Sequence, residues 1–318
     1  MTKKKIKKIV KYLVIITIVL GVGILGYIGN YFYNLAIDPN TSKSMIFGEE
    51  DEDETSGAIN KEAEKWLLEE SNYKDEYITS FDNLKLHGYK INNKNASNKW
   101  VIAVHGYTSE GIKMSNVAKE YYNMGYNVLI PDLRAHGKSE GDYIGMGWDD
   151  RKDIISWIDF IIKENPNAQI VLHGVSMGAS TVLMASGEDL PSNVKSIVAD
   201  CGYTSVWDQF SYQLKELFNL DAFPFMHVSS IVTKIRAGYW LNEASAIEQV
   251  AKSKTPILYI HGDKDDFVPF YMMDELYDNT KSEKEKLVVK GAAHAKSSTV
   301  NPDLYWSTIE NFINKYVN

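Results

Sequence analysis

The sequence predicts an α/β domain with a mostly parallel sheet and helices on both faces, preceded by a single membrane-spanning helix. Three observations lead there. Apolar runs ending in Gly or Asp (WVIAVHG, NVLIPD, AQIVLHG, PILYIHG) alternate with stretches of helical period, the pattern of buried parallel strands joined by helical crossovers. Residues 12–37 carry no charge, while Lys3, Lys4, Lys5, Lys7, Lys8 and Lys11 stand just ahead of them. Third, Gly174-Val175-Ser176-Met177-Gly178 sits between an apolar run and a helical one, a strand–turn–helix context in which a serine is lifted above a sheet.

Composition narrows the class. At 318 residues, with 44% hydrophobic and 24% charged, the chain lies near the globular average, which excludes disorder as its main state and a multi-span bundle. Its one cysteine, Cys201, excludes an intramolecular disulfide framework and a Cys-based zinc cluster. The net charge of −8 is unevenly divided. Setting aside the six N-terminal lysines leaves 28 basic residues against 42 acidic ones. So acidic a body lacks the basic surface that phosphates require, and no nucleic-acid partner is expected.

Taken in chain order, residues 1–11 form a basic tip and 12–37 a transmembrane segment. As a helix it is about 39 Å long at about 1.5 Å per residue, enough for a hydrocarbon core of about 30 Å. Tyr27, Tyr31, Phe32 and Tyr33 cluster towards its far end, as an interfacial aromatic belt does. The lysine flank places the tip in the cytoplasm and the body outside. A cleaved signal peptide would have a shorter apolar region and a small-x-small site after it; a buried core helix has no use for six flanking lysines. Residues 38–60 include six consecutive acids at 49–54 and read as a solvated linker, without the interleaved spacing of a calcium loop.

Residues 61–318 form the folded body. A short helix is expected at 63–68, YITSF and KLHGYKI as antiparallel strands, then parallel strands at WVIAVHG, NVLIPD, AQIVLHG, VKSIVAD, PILYIHG and KLVVK. Helices are expected at 112–124, 148–163, 176–186, 269–279 and 303–316. The stretch between VKSIVAD and PILYIHG is longer than one crossover needs and rich in aromatics. Residues 204–243 are therefore read as a small helical cap, the alternative being one long crossover whose aromatics are core.

A serine hydroxyl needs a base to act as a nucleophile at neutral pH. Three histidines follow Ser176: His227 in the expected cap, His261 at a strand end, and His294 on a loop after the last strand. Acids available to orient such a base are Asp263, Asp265 and Asp266 in HGDKDDFVP, with Asp200 at the end of VKSIVAD as a rival. A developing oxyanion needs two donors. The amide of Met177 is one, and the loop after WVIAVHG would supply the other.

In this order HGYTS, PDLRAHGKSEG, HGVSMGAS, HGDKDDFVP and His294 resemble serine hydrolases of the α/β-hydrolase superfamily, the serine aminopeptidase and monoacylglycerol lipase-like group in particular. The resemblance spans residues 75–318 and leaves out residues 1–74; the cap matches no pattern of the group. It implies the α/β-hydrolase fold and acyl transfer with neither metal nor organic cofactor. It assigns Ser176 as nucleophile, His294 as base, Asp265 as the acid through H-G-x-x-D-x-x-V-P, and the Tyr107 amide as second oxyanion donor beside Met177. His105 is then a loop-former, and Asp132, Arg134, His136 and Ser139 brace a polar loop rather than form a second site.

The aromatic insertion suggests a small, apolar acyl substrate, with a carboxylic ester favoured. An aminopeptidase would need cap carboxylates for the substrate amine; Glu216 and Asp221 are the ones available. A thioesterase or acyltransferase would use the same three residues. A non-catalytic surface binding module has no physical need to keep all three.

Overall fold

A computed structural model describes residues 3–47 and 61–318, so the acidic run at 49–54 lies outside the described residues. Eight strands form one sheet: β1 (Lys74–Thr79), β2 (Lys85–Ile91), β3 (Lys99–Val104), β4 (Asn127–Pro131), β5 (Gln169–Val175), β6 (Val194–Asp200), β7 (Ile257–Gly262) and β8 (Lys284–Val289). Their order is β1-β2-β4-β3-β5-β6-β7-β8. Strands β3 to β8 run parallel, and β1 and β2 form an antiparallel edge. The apolar runs are central strands because both their faces are covered. Ile102, Val104, Leu172 and Ile197 enter one core with Trp157 and Leu183. Their neighbours Val101, Ala103, Val171 and Val198 enter the other with Tyr121, Tyr305 and Phe312, the period-two alternation of a strand.

The helices are α1 (Lys3–Ala36), α2 (Ser115–Asn123), α3 (Asp150–Glu164), α4 (Met177–Ala185), α5 (Val206–Phe218), α6 (Ala222–Ala237), α7 (Tyr271–Asn279) and α8 (Pro302–Ile313), with shorter turns between. Two of them, α5 and α6, occupy the stretch between β6 and β7. Ser205 caps α5 by accepting from the Asp208 amide. Gly238, at φ +84°, ends α6 in the left-handed conformation that suits glycine.

Helix α1 is long and apolar enough to cross a membrane, with an 18-residue window of mean hydropathy 2.4. Its far end departs from the aromatic-belt expectation. Tyr27 and Tyr31 are exposed, but Tyr33 is only 2% exposed and shares a core cluster with Trp157. Phe32 packs edge-on against Phe218 of α5 and Phe225 of α6. Interface and packing aromatics look alike in a sequence, and here two of the four belong to the body.

The end of α1 is tied to the body. Ile37 is 1% exposed, and the orphan carbonyls at the end of α1 are taken up by nearby groups. Lys43 Nζ donates to the carbonyls of Asn34 (3.1 Å) and Asp38 (2.7 Å). The Tyr107 hydroxyl donates to that of Ala36 (2.7 Å), and the Ile144 amide to that of Ile37 (2.9 Å). A cation at a helix C-terminus is well placed for the macrodipole.

Beneath the carboxyl ends of the strands runs a buried polar chain. Tyr305 Oη donates to Asp200 Oδ2 (3.0 Å) and lies 3.2 Å from His173 Nε2, whose Nδ1 lies 3.1 Å from Tyr121 Oη. Burial pushes the Asp200 carboxyl up to about 6, against the bond from Tyr305, and pushes His173 down to about 3. Asp200 therefore holds its proton in the fold while it loses it in the unfolded chain at about 3.8. On its account stability falls as pH rises between those two values. Asp200→Asn keeps an oxygen for Tyr305 and abolishes that difference. In urea unfolding, the variant's stability relative to wild type should rise from pH 4 to pH 6 and then level off. A difference that ignores pH would mean Asp200 is ionised in the fold throughout.

Candidate active site

Ser176 joins the end of β5 to the start of α4, at φ +57° and ψ −118°. A non-glycine residue rarely sits there, and the strain is tolerated where the surroundings over-determine it. They do so here. A Cβ on Gly178 would run into the Val104 carbonyl at the end of β3, and one on Gly174 into the Gly178 carbonyl. The strand can therefore enter the helix only if both positions are bare. The turn leaves Ser176 at the head of α4, where backbone N–H groups lack intrahelical partners.

His294 arrives on the loop after β8 and Asp265 on the loop after β7. His294 Nε2 lies 2.8 Å from Ser176 Oγ, and His294 Nδ1 lies 2.8 Å from Asp265 Oδ2. Asp265 Oδ1 accepts the amides of Phe267 (3.0 Å) and Val268 (2.8 Å). Burial works against its charge, but hydrogen bonds from His261 and His294 prevail and hold the carboxyl at about 2. His261 Nε2 sits 3.1 Å from Asp265 Oδ2 and 2.9 Å from the Val268 carbonyl. Both neighbours accept, so this nitrogen carries the proton, and His261 braces the acid without reaching the serine.

The loop after β3 brings Tyr107 to the same place: Tyr107, Ser176 and Met177 all line one cavity. His105 is buried, its Nδ1 lying 2.8 Å from the Gly106 carbonyl while its Nε2 accepts the Leu133 amide (3.0 Å). It ties the Tyr107 loop to the loop after β4. In that second loop Asp132 accepts the amides of Gly111 (2.6 Å) and Lys138 (2.9 Å) and lies 2.7 Å from His87 Nδ1. Arg134 grips Asp153 in bidentate fashion, both bonds at 2.8 Å. His136 Nδ1 lies 2.9 Å from the Arg134 carbonyl, and Ser139 Oγ donates to that of Asp132 (2.7 Å). These four residues hold the loop.

The other sequence-level candidates stand elsewhere. Asp200 turns to Tyr305, and Asp263 accepts the Gly291 amide. Asp266 contributes its carbonyl to Tyr212. His227 is exposed, packed edge-on against Trp207 and Phe223. Glu216 is exposed, and Asp221 pairs with Lys215; neither lines the cavity. One further cluster, Cys201 with Asp265 and His294, places its ligand atoms within 4.8 Å of one another. Both His294 nitrogens are already engaged there, and burial raises the Cys201 thiol, so this donor set is not arranged for a metal.

The cavity is partly open to solvent. Its walls come from α5 (Leu214, Phe218), α6 (Phe225, Met226), the loop after β7 (Phe267, Val268) and, unforeseen from the sequence, the end of α1 (Phe32, Ala36). Among the described residues its lining has no charged side chain. A signal for the α1 contribution was present in Asn30 and Asn34, two amides one turn apart in an otherwise apolar stretch.

A family model described as serine aminopeptidase, S33 matches residues 95–227. The chain is 29% identical over 214 residues to the uncharacterized protein YqkD of Bacillus subtilis (strain 168), covering 67% of this chain and 70% of that one. To an uncharacterized membrane protein of Saccharomyces cerevisiae it is 24% identical over 235 residues, 73% and 76% of the two chains. Among solved structures, the Pyrococcus furiosus esterase Pf2001 matches with a TM-score of 0.65 at 28% identity, over 78% of this chain and 92% of that one. The Pyrococcus horikoshii acylaminoacyl peptidase, at 18% identity and a TM-score of 0.58 over 75% of this chain and 41% of that one, shares the fold. Sheet order, the glycine-flanked serine turn and these likenesses agree on an α/β-hydrolase fold, and they support a serine hydrolase of that superfamily.

Proposed function

We propose that this chain is a membrane-anchored carboxylic ester hydrolase. The observation that carries the reading is the hydrogen-bonded line from Asp265 through His294 to Ser176, opening on a cavity that no charged side chain lines among the described residues. Ser176 Oγ attacks the ester carbonyl while His294 Nε2 takes its proton. Asp265, held ionised by its hydrogen bonds, keeps Nδ1 protonated and stabilises the imidazolium. The amides of Tyr107 and Met177 hold the oxyanion, a donor of this kind contributing about 10²–10³ in kcat. His294 then protonates the departing alcohol, leaving an acyl-enzyme. Water, deprotonated by His294, releases the carboxylic acid and restores the serine.

The lining supports an ester over a peptide. An aminopeptidase must hold a substrate ammonium, and neither Glu216 nor Asp221 lines the cavity. For location, α1 crosses the membrane with residues 1–11 in the cytoplasm and the body outside, as the lysine flank directs.

Wild-type protein should label with a fluorophosphonate probe and Ser176→Ala should not; an unlabelled wild type removes the hydrolase reading. Ser176→Ala and His294→Ala should each lower kcat on p-nitrophenyl esters by about 10⁴–10⁶. Aminoacyl anilides should be much poorer substrates than those esters, and the reverse preference would make the enzyme a peptidase. Protease added to intact cells should remove the body. A body digested only after lysis would reverse the topology.

A further inference from the structure

We propose that the last two turns of α1 belong to the acyl-binding site: Phe32, Leu35 and Ala36 form the wall along which a long acyl chain lies, and they set the length the site accepts. The substrate class is then a long-chain acyl ester, the kind of molecule that partitions into the bilayer α1 crosses. This rests on the ester-hydrolase reading above.

The wall is fixed to the site. Helix α1 meets α6 at Gly29, where a Cβ would come 2.7 Å from the Val228 carbonyl oxygen; only a bare residue lets the two backbones approach so closely. Arg236 of α6 donates through Nη1 to the side-chain oxygens of Asn30 (2.9 Å) and Asn34 (2.6 Å), and its guanidinium lies 4.0 Å from the centre of the Tyr33 ring. The Ala36 carbonyl accepts the hydroxyl of Tyr107, the residue whose amide is the proposed oxyanion donor. One short segment of α1 therefore touches the helices that enclose the cavity and the loop that serves the reaction. Phe32, Leu35 and Ala36 line the cavity that Ser176 and Met177 also line.

The length of α1 puts this wall at the bilayer surface. Seventeen uncharged residues, 12–28, separate Lys11 from Gly29. As a helix they measure about 26 Å, close to the hydrocarbon thickness of about 30 Å. No spacer is left between the membrane and the crossing with α6. Beside that crossing α6 exposes Phe223, Ile231 and Ile235, which extend the apolar surface of α1.

The test uses full-length protein in phosphatidylcholine vesicles, assayed on p-nitrophenyl butyrate, laurate and palmitate. Ala36→Trp fills the wall and should lower the laurate-to-butyrate ratio of kcat/KM by about tenfold. Phe32→Ala enlarges it and should raise the palmitate-to-laurate ratio. Fluorophosphonate labelling of each variant reports whether Ser176 is still presented. Ratios within twofold of wild type in labelled variants overturn the proposal while leaving the hydrolase reading intact. If wild type itself does not label, that reading fails, and the wall is judged by binding alone. Dansylaminoundecanoic acid should then bind Ser176→Ala saturably, and at least tenfold more weakly when Ala36→Trp is added; equal binding overturns the proposal.

Discussion

The site depends on one close approach of backbone to backbone, that of Gly178 to the Val104 carbonyl. It lets β5 turn straight into α4, sets Ser176 in a conformation a serine does not choose, and leaves that residue at the head of a helix. The remaining geometry follows from sheet order. In a parallel sheet every strand ends at the same edge, so loops after β7 and β8 arrive where β5 ends, with β6 between. Asp265 and His294 are 89 and 118 residues beyond Ser176, yet they need only stand at neighbouring strand ends to meet it.

That edge holds two buried aspartates in opposite states. Asp265 gathers two backbone amides and lies against two imidazoles, and it stays ionised well below the usual carboxylate range. Asp200, one strand closer to the serine, receives a single tyrosine hydroxyl and keeps its proton up to about 6. Burial opposes the charge in both; the number and kind of donors decide the outcome. The same comparison shows why Asp265 suits an imidazolium and Asp200 does not. The one is a fixed negative charge beside the ring. The other is a hydrogen-bonded support for Tyr305 and, through it, His173.

Much of this was legible in the chain. The central strands announced themselves because a strand covered on both faces must be apolar throughout. The serine turn did so because its steric demand falls on two glycines at fixed spacing. Choosing Asp265 over Asp263 and Asp266 needed a resemblance, since three acids within four residues carry no periodicity that separates them. The role of His261 was visible only in outline, as a strand-end histidine, because its tie to the Val268 carbonyl depends on how the loop folds back. The end of α1 was misread. Tyr33 and Phe32 satisfy the rule for an interfacial belt as well as they satisfy packing, and hydropathy does not tell lipid from protein.

That ambiguity has a physical consequence for where the domain begins. A tether would end before the body's core starts, but Tyr33 and Ile37 lie inside that core. The Ala36 and Ile37 carbonyls complete hydrogen bonds to Tyr107 and Ile144. Burying two such side chains contributes on the order of 1.5–3 kcal/mol each, a large share of the margin by which a domain is stable. The body's packing therefore begins within a continuous helix, near Gly29. Before it the side chains of the helix are mostly exposed and apolar, whereas after it Tyr33, Leu35 and Ile37 are buried against protein. A rigid helix with that division cannot shift its exposed apolar length without moving the cavity wall and the Tyr107 loop as well.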